Sequence, residues 1–97
     1  MVITIIGRRW FEKTNGNTYH SVNVYVDGEQ VYRLPFDYGY GSMYRQNAMQ
    51  WLAENGYFPG YERRNEWSLP YPTEPWFREN GIQIIDEVTD VQRKRDL

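Results

Sequence analysis

The chain has 97 residues, of which 25% are charged and 40% hydrophobic, and a net charge of −2. That length supports one domain, residues 1–97, burying roughly 60 to 70% of its unfolded surface, and the composition argues against wholesale disorder. With no cysteine, disulfides, thiolate metal sites and thiol nucleophiles are excluded.

Nine tyrosines, four tryptophans and four phenylalanines take the place of many leucines, so aromatic packing must supply much of the burial. The opening MVITIIGRRW has a short apolar run before two arginines, without the basic start and long apolar stretch of a signal peptide, and no stretch reaches membrane-spanning length. No membrane partner is expected, and a reducing cytoplasm suits the composition.

In chain order, Asn15-Gly16 and Asp27-Gly28 are the dipeptides that two-residue hairpin turns prefer, because both central positions need positive φ. Strands are predicted over Val2–Lys13, Thr18–Val26 and Gln30–Leu34, an antiparallel meander. A two-residue loop at Asn15-Gly16 sets Arg9 against Val22 and Ile5 against Val26. It gathers Ile3, Ile5, Val22, Val24 and Val26 on a core side. The other side then carries Ile6, Arg8, Trp10 and Glu12 beside Tyr19, Ser21, Asn23 and Tyr25. From the second turn, Val31 is assigned to the core side and Tyr32 and Leu34 to the other.

A helix begins after Ser42, with Tyr44, Ala48, Trp51 and Leu52 on one stripe and Gly56 as its stop. It should lie on the valine side. Arg45 in its first turn and Glu54 in its last oppose the helix dipole and call for partners. Residues 57–75, YFPGYERRNEWSLPYPTEP, hold four of the five prolines and many rings without a period. The segment is too ring-rich for a linker, and the aromatic side of the sheet is the nearest surface for it to cover. Thr73 or Glu74 caps a short helix through Asn80, with Pro75 in its first turn and Gly81 ending it. IQIIDEV, 82–88, reads as a last strand. The fold class is therefore α+β in the order β-β-β-α-(short helix)-β.

Chemistry is sparse. FDYGYGSMYRQ, 36–46, places Gly39, Gly41 and Ser42 before the helix, beside Arg45, an arrangement that can hold a phosphate or carboxylate on free helical amides. It lacks the Lys-Ser/Thr of a phosphate loop, and Tyr44 stands where a dinucleotide fingerprint needs its third glycine. The alternative is a turn made by the glycines, a cap from Ser42 and an acid pairing Arg45. His20 is the only histidine and has no serine-nucleophile context around it, so a packed, hydrogen-bonded strand histidine is expected. Asp86, Glu87 and Asp90 lack calcium-loop spacing and read as a solvated strand end. No catalytic residue, metal or cofactor is assigned.

The richest constellation is Arg8, Trp10, Tyr19 and Tyr25 on the non-core side of the sheet, together with Arg63, Arg64 and Trp67 in the aromatic loop. Rings and arginines dominate protein-binding hot spots, which makes these seven the candidate partner-binding residues. Rings with cations also suit single-stranded nucleic acid. Three strands followed by a helix resemble the layout of sheet-type DNA readers such as the plant AP2 domain. Against that, residues 1–34 hold four basic residues and three acidic ones, only one positive charge in excess. Rings left over from the core leave room for a homodimer. Arg93-Lys94-Arg95 suits contact with nucleic acid or an acidic partner, but flanked by Asp90 and Asp96 it reads more simply as a solvated basic tail.

Two stretches, ITIIGRRWFEKTNGNTYHSVNVYVDGE near the start and DVQRKRDL at the end, resemble small uncharacterised proteins of phage and prophage genomes. The resemblance implies a phage-borne accessory protein in the cytoplasm of a bacterial host, of a kind that often works by binding and blocking a host or defence complex, as anti-CRISPR proteins do. It implies no site residue. Separately, no nucleophile, base and orienter converge in the sequence, so no enzymatic activity is expected.

Overall fold

The structure is a computed structural model that describes residues 1–63 and 65–97. Strands β1 (Val2–Glu12), β2 (Asn17–Val26) and β3 (Glu29–Tyr38) are followed by helices α1 (Met43–Glu54) and α2 (Glu74–Glu79), strand β4 (Gln83–Val91) and a 3₁₀ turn (Lys94–Asp96). The sheet runs β3-β2-β1-β4, with the first three strands antiparallel and β4 parallel to β1. This is the α+β meander with a fourth strand that the sequence predicts. It settles the edge β4 joins: β4 lies outside β1.

The first hairpin departs from expectation by two residues. Its loop is Lys13–Gly16, with Glu12 opposite Asn17, so Ile5 pairs with Val24 and Arg9 with His20. Of the loop residues only Gly16 takes positive φ, at 71°, and its N–H bonds the Glu12 carbonyl at 2.9 Å. The Glu12 carboxylate accepts from the Asn15 N–H at 3.1 Å, which holds Asn15 out of the tight-turn position. A shift of two leaves every side chain on its predicted face. The second turn forms as predicted, with Asp27 at φ 48° and Gly28 at φ 86°.

A bulge reverses part of β3. Tyr25 pairs with Gln30 but Val24 pairs with Tyr32, so one extra residue, Val31, lies between them. Tyr32 and Leu34 therefore turn to the core side, opposite to the prediction, and Tyr32 stacks on Trp51 of α1 with ring centroids 4.5 Å apart. Burial raises the Tyr32 phenol pKa, helped by the Asp37 and Glu54 carboxylates. A second irregularity falls between His20 and Val22, where β3 contributes Pro35 and Phe36. Pro35 cannot donate to a ladder and is tolerated there because β3 is an edge strand.

Helix α1 crosses the valine side. Ile3, Ile5, Val22 and Val24 share one core with Tyr44, Ala48, Met49 and Leu52. The closest approach is at Gly7, where the Tyr44 ring occupies the space a Cβ would need. The Tyr44 hydroxyl reaches across β1 and donates to Asp86 of β4 at 2.7 Å. Arg45 bonds the other oxygen of the same carboxylate at 3.0 Å, which supplies its expected partner. Glu54 accepts from Gln50 at 3.1 Å.

Burial and the Asp86 carboxylate push the Tyr44 phenol from its ordinary value near 10 up to about 12. A raised phenol pKa favours the neutral form in the folded chain. Its contribution is therefore complete below pH 10 and lost as pH rises through about 12. Absorbance titration at 295 nm should show one tyrosine ionising only near pH 12, and Tyr44→Phe should remove that last step.

The aromatic loop does not cover the outer face. Phe58 and Tyr71 join the helix-side core with Phe77 of α2, and Tyr57, Tyr61 and Trp76 pack around them. The physical reason is that α1 covers only part of the sheet's apolar side. The strand ends carrying Ile3 and Ile84, with Ile82 just before β4, still need cover, and the loop supplies it together with α2. The α2 boundaries follow the sequence: Thr73 precedes it in extended conformation, Pro75 sits in its first turn, and Gly81 follows at φ 68°.

Candidate functional site

Alternation places Trp10, Tyr19, Phe36 and Tyr38 on the outer face at one end of the sheet. Trp10 and Tyr19 are direct cross-strand partners. Their ring centroids lie 5.8 Å apart, Tyr19 stacks on Phe36 at 4.8 Å, and Tyr38 meets Tyr19 edge-on at 5.7 Å. The stacked rings stand side by side across three strands, so they present edges to solvent. Phe36 is 41% exposed and Tyr38 57%.

Of the sequence-predicted partner residues, Trp10, Tyr19 and Arg8 are thus brought together. Tyr25 shares the face but lies at its far end, opposite Thr4 and Gln30. Arg63 is turned into its own loop, where its Nε donates to the Ser68 carbonyl at 2.8 Å and its Nη2 to that of Glu66. Trp67 projects from this braced loop 88% exposed. The prediction for Arg64 lies outside the described residues.

The segment after β4 folds back over the middle of the outer face. Leu97 is buried yet takes no part in the helix-side core. Arg8 Nη1 donates to the Asp96 carbonyl and Arg33 Nη2 to the main-chain oxygen of Leu97, both at 3.3 Å. Lys94 Nζ stands 4.9 Å from the Phe36 ring centroid, and Arg93 pairs with Asp96. The basic tail is therefore docked on the sheet, because Leu97 finds cover there and Arg8 and Arg33 find main-chain oxygen acceptors.

Gly39, Gly41 and Ser42 make the turn into α1, with φ of 153° and 62° at the two glycines. Ser42 makes no side-chain cap; its Oγ accepts from Gln46 at 3.3 Å. Arg45 is committed to Asp86, which neutralises the cation that an anion at these amides would need. Gly41 instead lines a cleft of about 450 Å³ on the helix side, with Arg9, Phe11, Lys13, Tyr40 and Asp90. Arg9 is held there by Asp90 at 2.8 Å and by the Gly41 carbonyl at 3.2 Å. Asp86, Glu87 and Asp90 lie exposed along β4, as a solvated strand end should, and two of them, Asp86 and Asp90, also hold ion pairs.

His20 is packed and hydrogen-bonded, as expected. It is fully buried, with Nδ1 3.2 Å from the Gly39 carbonyl and Nε2 2.8 Å from the Asn47 amide. The same amide donates to the Asp37 carboxylate at 3.2 Å, which can only accept, so the amide nitrogen faces His20 and Nδ1 carries the proton. Asn47→Ala leaves Nε2 buried without a donor and should cost about 1 to 3 kcal/mol in denaturant unfolding. Among the described residues, no group of three or more His, Asp or Glu is placed to hold a metal ion. No described helix is long and apolar enough to cross a membrane.

Sequence reasoning missed Arg33, Phe36, Tyr38, Lys94 and Leu97. Pro35 makes β3 look finished at Leu34, and the last six residues carry no period. Only the ring-rich composition of 36–40 hinted at the extension. Compared with known proteins, the chain matches no family model, no curated protein and no solved structure.

Proposed function

We propose that the protein is a non-enzymatic accessory protein that acts by binding another protein through the aromatic end of its outer sheet face. The observation that carries this reading is the Trp10–Tyr19–Phe36 row with Tyr38 beside it, rings that contribute nothing to the helix-side core. Exposed aromatic clusters flanked by arginine are what protein hot spots are made of. The resemblance to phage proteins suggests the kind of partner: a host or defence complex that this chain blocks inside the bacterial cytoplasm.

A nucleic-acid partner is the second reading, favoured by Arg8 and Lys94, neither of which has a carboxylate partner among the described residues. The rings speak against it. A base stacks on an open ring face, whereas Tyr19 lies between Trp10 and Phe36, and Phe36 between Tyr19 and the Lys94 ammonium.

Immobilised protein should retain a specific protein from a bacterial lysate. Retention should fall at least tenfold on Tyr38→Ala and stay within threefold on Trp67→Ala, whose loop packs on the other side of the sheet. Retention that ignores Tyr38→Ala would contradict the reading. Tight, salt-sensitive binding of single-stranded DNA would support the second one. A dimer in light scattering that Tyr38→Ala breaks would make the partner a second copy.

A further inference from the structure

The fold answers only one of the two charges that oppose the dipole of α1. Arg45 at its start has the Asp86 carboxylate. Glu54 is its last residue, in a turn that holds no basic side chain, and its carboxylate meets only the neutral Gln50 amide. Glu54 lines a cleft of about 230 Å³ between α1 and β3, on the helix side of the sheet, together with Tyr32, Asp37, Asn47, Gln50 and Trp51. No basic residue lines it.

The polar groups of this cleft are mostly acceptors. Both N–H groups of the Asn47 amide are taken, one by His20 Nε2 and one by Asp37, and the Gln50 amide nitrogen is turned to Glu54. Asn47 Oδ1 and Gln50 Oε1 have no donor among the described residues, and neither Asp37 nor Glu54 holds an ion pair there. Beyond the effect of burial, the Asp37 and Glu54 carboxylates both raise the Tyr32 phenol pKa, so two uncompensated negative charges converge on one hydroxyl.

We propose that this cleft binds a guanidinium group, carried either by an arginine side chain of another protein or by a small guanidino compound. Two carboxylates and two amide oxygens are what a planar head with five N–H donors and no acceptor can use at once. Bonds from it to the carboxylates are charge-assisted, and the negative end of α1 adds to their field. The Tyr32–Trp51 stack supplies an aromatic wall. Guanidinium is more weakly hydrated than ammonium, so it gives up less to lie against that wall. A metal ion fits less well, because among the described residues Asp37 and Glu54 are joined by no third His, Asp or Glu placed to hold one.

Titration of the full-length chain with methylguanidinium chloride, followed by NMR, tests the inference, with sodium chloride and methylammonium chloride as controls. Methylguanidinium should shift the side-chain amides of Asn47 and Gln50 and the Trp51 indole N–H saturably, and bind at least fivefold tighter than methylammonium. Glu54→Gln, at an exposed helix end, should weaken binding at least fivefold. The comparison of salts needs no variant, so it stands however Glu54→Gln folds. An acetylated and amidated Gly-Arg-Gly peptide separates the two sources: binding at least tenfold tighter than methylguanidinium assigns the site to a protein's arginine, and equal binding assigns it to a small guanidino compound. Shifts no larger than those from sodium chloride would overturn the inference. So would equal affinity for methylammonium, or binding indifferent to Glu54→Gln. The cleft and the aromatic row lie on opposite faces of the sheet, so the Tyr38→Ala result bears on the row alone.

Discussion

Gly7→Ala should destabilise the protein by about 3 kcal/mol, the upper part of the range for overpacking a tight core. A Cβ at Gly7 would sit 2.3 Å from Cδ2 of the Tyr44 ring and 2.6 Å from its Cγ. Tyr44 cannot step aside cheaply. Its backbone is fixed in α1 and its hydroxyl is tied to Asp86 on the far strand at 2.7 Å. For a domain of this size the loss corresponds to a fall of roughly 12 to 24 °C in melting temperature. In a Tyr44→Ala background the same glycine substitution should cost less than about 1 kcal/mol, because the three nearest atoms to the added Cβ all belong to that ring. Equal costs in both backgrounds would mean that α1 does not cross β1 at this point.

Phe77→Ala should cost about 3 to 5 kcal/mol, the usual range for truncating a fully buried phenylalanine. Phe77 is inaccessible to solvent, meets Phe58 edge-on at 5.3 Å, and accepts two backbone bonds near the end of α2, from Asn80 and Ile82. It joins the loop, the short helix and the lead into β4 to one core. Denaturant unfolding measures the loss, and proteolysis of the 57–73 segment should accelerate with it. Were the loop seated on the outer face, Phe77→Ala would leave that segment as protected as before.

Much of the fold was legible because its signals are local. Asp27-Gly28 sets its own turn, and Tyr44, Ala48 and Leu52 declare a buried stripe by spacing alone. Thr73, Pro75 and Gly81 bracket α2. What escaped depends on longer-range fits. Val31 looks like any strand residue, and nothing in its neighbours announces the bulge that turns Tyr32 toward Trp51. Asn15-Gly16 has the composition of a two-residue turn, yet the Glu12 carboxylate offers Asn15 a different bond. The side on which 57–75 packs is decided by how much of the sheet α1 leaves bare, which no window of sequence contains.

For the candidate site, the pairing of Trp10 with Tyr19 survived because a register error of two preserves faces. Phe36 and Tyr38 were hidden behind Pro35. The docking of Leu97 could not be read because a lone leucine among charges has no pattern. The arginines showed the same division: Arg8 was visible from alternation, whereas Arg63 spends its donors on its own loop and Arg45 on Asp86.

The central claim is that the aromatic end of the outer face is where a partner sits. Hydroxyl-radical footprinting, with and without the protein retained from lysate, tests it most directly. The account predicts that Tyr19, Phe36 and Tyr38 become protected in the complex. Protection confined to Trp67, with those three rings oxidised as fast as in the free chain, would contradict it.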